Sequence, residues 1–379
     1  MGSSSSQPKN DFNVIIVGGG YAGITLAGKL DDYCNVTLID PKDCFHHSIG
    51  ALRCVVEPGF IKKTLIPYQG FLKYGTFIQA KCVSVHVSLR TVTLSNGQEL
   101  RYDYLVFACG SSVPFPGKVP QGVTREDAHK LYEELALQVK NSEKIVIIGG
   151  GPVGVELAGE IANDYPSKKV TIVNAKEQLI SNKMSEKFQK KINKGLKDLK
   201  VNLVLGEKIA MDELDLGGEK PWVQGPITIT TDKGTSIEAD LVFRCTGFKV
   251  NADAYRSKLS DKMDHNTGSL KVDAFLQVEE MRDVFAIGDC NNTPEIKLAY
   301  GATLQAETVA FNIKQLNESK RMKEYKLLNA LMVVPMGRNR GAAQLPNGMV
   351  FGNMFAKGIK GKDMMTGKIW KQMNQKKPS

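Results

Sequence analysis

The chain lacks any apolar run near the 18 or more residues that a membrane-crossing helix needs. Its unbroken apolar runs, such as Val14–Val17 and Leu105–Cys109, are only strand length. Paired cysteines are missing as well. The seven cysteines (Cys34, Cys44, Cys54, Cys82, Cys109, Cys245 and Cys290) are odd in number and form no C-x-x-C or C-x-x-x-x-C spacing. That argues against a redox dithiol or a zinc knuckle and for a reduced, cytosolic-side protein, with no metal expected. At 379 residues the chain is too long for one small domain, so two or three are expected. With 42% apolar and 24% charged residues it has an ordinary globular composition. A net charge of +10 permits attraction to anionic membranes or nucleic acid and selects neither.

What the sequence does have is a repeat. Val14-Ile-Ile-Val-Gly18-Gly19-Gly20-Tyr21-Ala22-Gly23 is followed by Ile24–Leu30, then by the apolar run Val36–Ile39 closed by Asp40. After an offset of 131 residues, Ile145-Val-Ile-Ile-Gly149-Gly150-Gly151-Pro-Val-Gly154-Val-Glu156 leads through Leu157–Ala162 to Val170–Val173 and Asn174. Each copy reads strand, tight turn, helix, strand. In such a turn the first glycine allows the sharp reversal and the second lets backbone approach a pyrophosphate. The third lets helix pack on strand, and the helix start offers free N–H groups to phosphate. Two copies in the same context make two dinucleotide sites the expected reading.

The residues closing the two second strands differ. Asp40 can accept hydrogen bonds from an adenosine ribose, which suits FAD or NAD. Asn174, with Lys176 behind it, presents nothing that repels a 2′-phosphate, so both NADH and NADPH are admitted. Tyr104-Leu-Val-Phe-Ala-Cys109-Gly110 and Asp240-Leu-Val-Phe-Arg-Cys245-Thr246-Gly247 flank the second repeat as two crossings between domains. Asp283-Val-Phe-Ala-Ile-Gly288-Asp289 ends another strand in a carboxylate beside the first nucleotide. The expected fold is α/β, with two Rossmann-like dinucleotide-binding domains of the three-layer ββα type, the second inserted in the first. Residues 12–115 and 237–322 form the first domain, 116–236 the second, and 1–11 a leading segment. Residues 323–379 form an α+β tail with strands at Val333–Gly337 and Gly348–Phe355 and a helix at Ile359–Met373. Seven lysines against one aspartate put +6 of the charge in the last 23 residues.

These motifs, in this order, resemble the two-dinucleotide-binding flavoprotein reductases over nearly the whole chain. Phe45-His46-His47, Ala51-Leu52-Arg53, Pro114-Phe-Pro-Gly-Lys118, Ala286-Ile-Gly-Asp-Cys290 and Met336-Gly-Arg-Asn339 are similar, within that class, to the ferroptosis suppressor family of apoptosis-inducing-factor-like flavoproteins. The resemblance implies FAD in the first fold, NAD(P)H in the second, and reduction of coenzyme Q-type lipid quinones at membranes, which limits lipid peroxidation and ferroptosis. Carried onto this chain, it implies FAD contacts from Gly18 to Ala22, Asp40, Arg53, the backbone of Cys82, and Asp289. It puts Glu156 near the nicotinamide ribose or carboxamide and Lys360 near the flavin ring. Met365 stands where the family has an aromatic, and Asn174 where it can have histidine.

Other readings compete at individual residues. His46 and His47 are adjacent, so in extended chain only one can face a ring; a proton donor titrating near neutrality suits quinone reduction, and a solvated loop is the plain alternative. Glu156 could be a first-turn helix carboxylate and Arg53 a surface arginine. Met1-Gly2-Ser3-Ser4-Ser5-Ser6 fits a myristoylation signal with Gly2 as acceptor, and equally a disordered serine-rich start. Myristate and the basic tail together would hold the protein at the cytosolic face of the plasma membrane or of lipid droplets, and leave it cytoplasmic when not acylated. The apolar tail residues around Trp370 are the alternative anchor. The rival function is a redox-sensing, pro-apoptotic flavoprotein effector with non-specific DNA binding, supported only by net charge and the family's label.

Overall fold

The computed structural model describes residues 9–209, 214 and 222–378. Gly2 and its neighbours lie outside the described residues. From the amino end, β1 (Asn13–Val17) leads through the first glycine turn into α1 (Tyr21–Leu30), followed by β2 (Asn35–Asp40), β3 (Thr76–Gln79) and β4 (Tyr104–Phe107). β1 is buried on both faces beyond its first residue, as a central parallel strand rich in Val and Ile must be.

The second unit opens with α2 (Arg125–Asn141), started by the Thr124 hydroxyl, which accepts the Asp127 N–H, and by Glu126 and Asp127 in the first turn. Its buried residues, Ala128, Tyr132, Leu135, Ala136 and Val139, fall on one helical stripe. β5 (Lys144–Ile148), α3 (Pro152–Asp164), β6 (Lys169–Asn174), α4 (Glu186–Asp198), β7 (Asn202–Leu205), β8 (Trp222–Thr230) and β9 (Ser236–Arg244) follow. The sheet order is β7-β6-β5-β9-β8, with β8 antiparallel to β9 and the other neighbours parallel.

β9 pairs with β5 residue by residue from Ile145↔Leu241 to Ile148↔Arg244. Residues 237–244 therefore belong to the second sheet, and the return crossing falls after Arg244, not at residue 237. The reason lies in the hairpin: β8 and β9 share one ladder and cannot be divided between domains. The chain then adds β10 (Val284–Ala286) and α5 (Ala299–Asn317), completing a parallel first sheet ordered β10-β4-β1-β2-β3. α1 and α5 pack together on one face of it through Leu26, Ala27, Ala306 and Val309. A three-stranded antiparallel sheet, Cys82–His86, Thr91–Leu94 and Glu99–Arg101, packs on the other. This is the ββα layering expected.

In the tail, β11 (Met332–Met336), β12 (Arg340–Gln344) and β13 (Val350–Phe351) form a meander, followed by α6 (Asn353–Ala356) and α7 (Thr366–Gln372). The strand expected over Gly348–Phe355 ends at Phe351. The single helix expected over Ile359–Met373 is broken: a π turn spans Lys357–Gly361, and Met364 and Met365 both adopt left-handed backbone (φ 51° and 63°) before α7 starts. Ile369, Trp370 and Met373 are buried in the core of the first domain, and the Trp370 indole N–H donates to Lys63 O at 2.9 Å. They are therefore not an exposed membrane anchor. Among the described residues, no helix is long and apolar enough to cross a membrane.

Candidate active site

Both glycine turns are shaped by what surrounds them. Gly18 has φ +109°, and a Cβ there would strike the Ala108 carbonyl; Gly149, at φ +118°, would meet Thr246 Cγ2 at 2.7 Å. The next helices start differently from α2. Gly20 and Gly151 are the N-caps of α1 and α3 and provide no side-chain cap, and a Cβ on either would meet nothing within 4 Å. Each turn thus presents uncapped helix N–H groups to open space of the kind a pyrophosphate fills. In the first domain this space is a cleft of about 1180 Å³, counting its open mouth.

Asp40, at the end of β2, holds the cleft's first turn. Its Oδ2 accepts the Gly19 N–H at 2.7 Å, while Oδ1 accepts the Lys42 N–H at 2.9 Å and the Lys42 ammonium at 2.7 Å. Asn174 repeats the device with an amide: Oδ1 accepts the Gly150 N–H at 2.9 Å, and Nδ2 donates to Lys176 O and Gln178 O at 2.8 and 3.0 Å. The far wall carries Asp289, whose Oδ2 accepts the Ser111 hydroxyl at 2.5 Å and lies 3.5 Å from the Lys118 ammonium. Burial pulls Lys118 below the usual lysine range, with Asp289 opposing. Tyr21, Ala22 and Cys82 also line the cleft. Gly23 and Gly154 face inward instead, each packed on the carbonyl of its turn's first glycine. The Cys82 thiol is pushed up to about 11 by burial, so it stays protonated. All seven cysteines are free thiols.

Lys42, Ser111 and Lys118 were not picked out as site residues by sequence reasoning. Lys118 sits in a segment used for the resemblance, but no spacing rule marks a lysine that arrives from a loop.

Glu156 and Lys360, 204 positions apart, meet: Lys360 Nζ lies 3.4 Å from Glu156 Oε1 and donates to Val333 O at 2.8 Å. Both side chains are largely buried, and burial raises the Glu156 carboxyl above its usual range against the pull of Lys360. The pair does not line the first cleft; it lies where α3 meets the tail.

The two histidines point apart, as their adjacency requires, and neither is a solvated loop residue. His46 Nδ1 accepts the Val119 N–H at 3.3 Å; its Nε2 lies 3.3 Å from the Tyr132 hydroxyl, whose own proton goes to Pro116 O at 2.7 Å. His47 Nε2 donates to Met364 O at 2.7 Å, so Nδ1 accepts from the Tyr21 hydroxyl at 3.0 Å. Burial pushes His46 down to about 3 and His47 to about 4. Both are neutral with both nitrogens engaged, which corrects the expectation of a donor titrating near neutrality.

Arg53 is also corrected. It is 1% exposed, and its guanidinium grips Glu160 of α3 through Nε and Nη2 at 3.2 and 3.0 Å, while Nη1 donates to Gly361 O at 2.8 Å. Its donors are spent joining three parts of the chain, so it does not face the cleft.

Two sheets built on parallel strands, each with a glycine turn feeding an uncapped helix at its carboxyl edge, define a two-dinucleotide oxidoreductase. Residues 12–306 match the pyridine nucleotide-disulphide oxidoreductase family. The chain is 36% identical over 381 residues to ferroptosis suppressor protein 1 of Mus musculus, covering 100% of both, and 36% identical to apoptosis-inducing factor homolog B of Dictyostelium discoideum, covering 96% of this chain and 97% of that one. Its fold is similar to that of the sulfide:quinone oxidoreductase from Aquifex aeolicus, with a TM-score of 0.75, 17% identity, and coverage of 97% of this chain and 93% of that one. The chain belongs to the pyridine nucleotide-disulphide oxidoreductases and, among them, to the ferroptosis suppressor proteins. It is a redox flavoprotein that uses FAD and NAD(P)H.

Proposed function

We propose that this protein is an NAD(P)H:quinone oxidoreductase acting on coenzyme Q-type lipid quinones at the cytosolic face of the plasma membrane or of lipid droplets, and that it thereby limits lipid peroxidation and ferroptosis. FAD belongs in the first cleft, with its pyrophosphate over Gly18–Ala22, its adenosine ribose toward Asp40 and its ribityl chain toward Asp289. NAD(P)H belongs at Gly149, Gly151 and Gly154, with its adenosine toward Asn174. Bound there, the two cofactors supply hydride transfer from nicotinamide to flavin and electron delivery from flavin to acceptor.

The residues of the chain bind, orient and exclude water. Glu156, held by Lys360, fixes the nicotinamide ribose or carboxamide, and Lys360 ties that carboxylate to Val333 O of the tail. His46 and His47, both neutral, position Tyr21 and the loop at Val119 rather than hand over protons. The observation that supports the quinone reading is the cysteine spacing: no C-x-x-C or C-x-x-x-x-C pair is present to take electrons as a redox dithiol, which favours a diffusible acceptor. The name of the Aquifex aeolicus neighbour, a quinone oxidoreductase, agrees with that acceptor class.

Membrane contact in this reading comes from myristate on Gly2 and from tail lysines. Lys357, Lys362, Lys368 and Lys371 are exposed, while the apolar side of α7 is turned into the first domain. Steady-state turnover of the flavin-loaded protein tests the proposal. A short-chain ubiquinone should be reduced with NADH and with NADPH at rates within about tenfold of each other, because no carboxylate closes β6. Turnover of small disulfides but not of quinones would contradict it.

A further inference from the structure

The second dinucleotide site has a cation that its glycine motif does not encode. Arg244 is the last residue of β9, paired in register with Ile148, the residue before Gly149. Strand alternation sends its side chain to the face of Val242, which packs with Val146, Ile148 and Val173, away from α3. The guanidinium then bends over the next turn, with Nη2 3.3 Å from where a Cβ on Gly247 would stand. Cys245 and Thr246 of that turn are the wall against which Gly149 packs. From Arg244 to the phosphate-cradling turn the surface is therefore continuous.

Among the described residues, none neutralises this group. Arg244 Nε is buried without a hydrogen-bond partner, and among the described residues Arg244 forms no ion pair. Asp240, on the same face of β9 and four residues back, is engaged by the Glu143 and Lys144 N–H groups. A half-buried guanidinium whose Nε has no acceptor among the described residues is costly for the protein alone and suited to a planar, bidentate anion.

We propose that Arg244 is the phosphate-binding cation of the NAD(P)H site, taking either the pyrophosphate or the 2′-phosphate; this rests on the reading that NAD(P)H occupies the second turn. The test is calorimetric titration of the oxidised, FAD-loaded protein with ADP and with 2′,5′-ADP, neither of which can reduce the flavin. Binding of both to the wild type checks the site itself. Arg244→Leu should keep its FAD and weaken at least one of the two ligands by at least about tenfold, and Arg244→Lys should restore part of that affinity. Weakening of ADP, the ligand that carries a pyrophosphate, assigns the pyrophosphate, and weakening of 2′,5′-ADP alone assigns the 2′-phosphate. The wild-type dissociation constant should also rise more steeply with salt than that of Arg244→Leu. If Arg244→Leu does not fold, Arg244→Gln carries the same comparison. Wild-type binding with both ligands unchanged in the variants would overturn the proposal and leave the site reading intact.

Discussion

Arg53 shows how a residue can be conspicuous in a motif and yet work elsewhere. Its buried pair with Glu160 joins the loop after His47, helix α3 and the tail. Arg53→Met should destabilise the protein by about 3–5 kcal/mol, because it strands a buried carboxylate, while Arg53→Met with Glu160→Leu should recover much of the loss. Urea unfolding of Arg53→Met, Glu160→Leu and the double variant makes the comparison, and a double variant as unstable as the sum of the two single losses would contradict it. The histidines give a second test. Their folded pKa values, about 3 and 4, lie below the unfolded value of about 6.5, so the unfolded chain binds more protons in between. Their contribution to stability is complete above pH 6.5 and is lost as pH falls toward 4. The urea midpoint of the wild type should therefore fall more steeply than that of His47→Asn between pH 6.5 and 4.5; parallel slopes would show that His47 titrates normally. None of this was readable from the sequence, which fixes that adjacent side chains diverge but not which carbonyl or guanidinium partner meets them from 300 positions away.

At the scale of elements, the glycine turns were the most legible part of the chain. A turn followed by a helix is local, and Gly18, Gly20, Gly149 and Gly151 each stand where backbone geometry or open space requires no side chain. Gly20 has ordinary extended backbone (φ −75°), so Gly20→Val should fold. Its side chain would then occupy the space over the helix start, and the purified variant should be colourless where the wild type carries about one FAD per chain. A variant that keeps stoichiometric flavin by its absorbance would refute the placement. The tail was less legible because its pattern has a helical period throughout, whereas tertiary contacts break it: Met364 O is held by His47 and Gly361 O by Arg53. Ile359, Met365, Ile369, Trp370 and Met373 are apolar residues of the one helix expected there; three of them serve instead as a plug in the first domain. The second-domain boundary was missed for a related reason, since a strand that closes one sheet and a strand that crosses to the next look alike in sequence.

For the whole molecule, a sheet built twice and a basic tail turned outward place two dinucleotides and a charged face on one chain. Acyl burial ignores salt, whereas lysine attraction to anionic lipid fades as the Debye length falls from about 10 Å at 0.1 M to about 3 Å at 1 M. Gly2→Ala should release the protein from membranes in cells yet leave reduction of soluble quinones unchanged, and the acylated protein on anionic vesicles should detach only partly in high salt. Retention of Gly2→Ala on membranes would make the amino-terminal motif inert. Fractionation with a quinone assay on each fraction decides between these outcomes.

The central claim is that electrons enter from NAD(P)H at the second turn and leave to a quinone. Anaerobic double-mixing stopped flow tests it most directly: the flavin is bleached with one equivalent of NADH, then mixed with a short-chain ubiquinone, and its absorbance is followed. Rapid, full reoxidation at a rate at or above steady-state turnover is expected, with Glu156→Ala bleaching at least about tenfold more slowly, a barrier change of about 1.4 kcal/mol, and reoxidising normally. A flavin that NADH bleaches but that stays reduced in the presence of quinone would contradict the account.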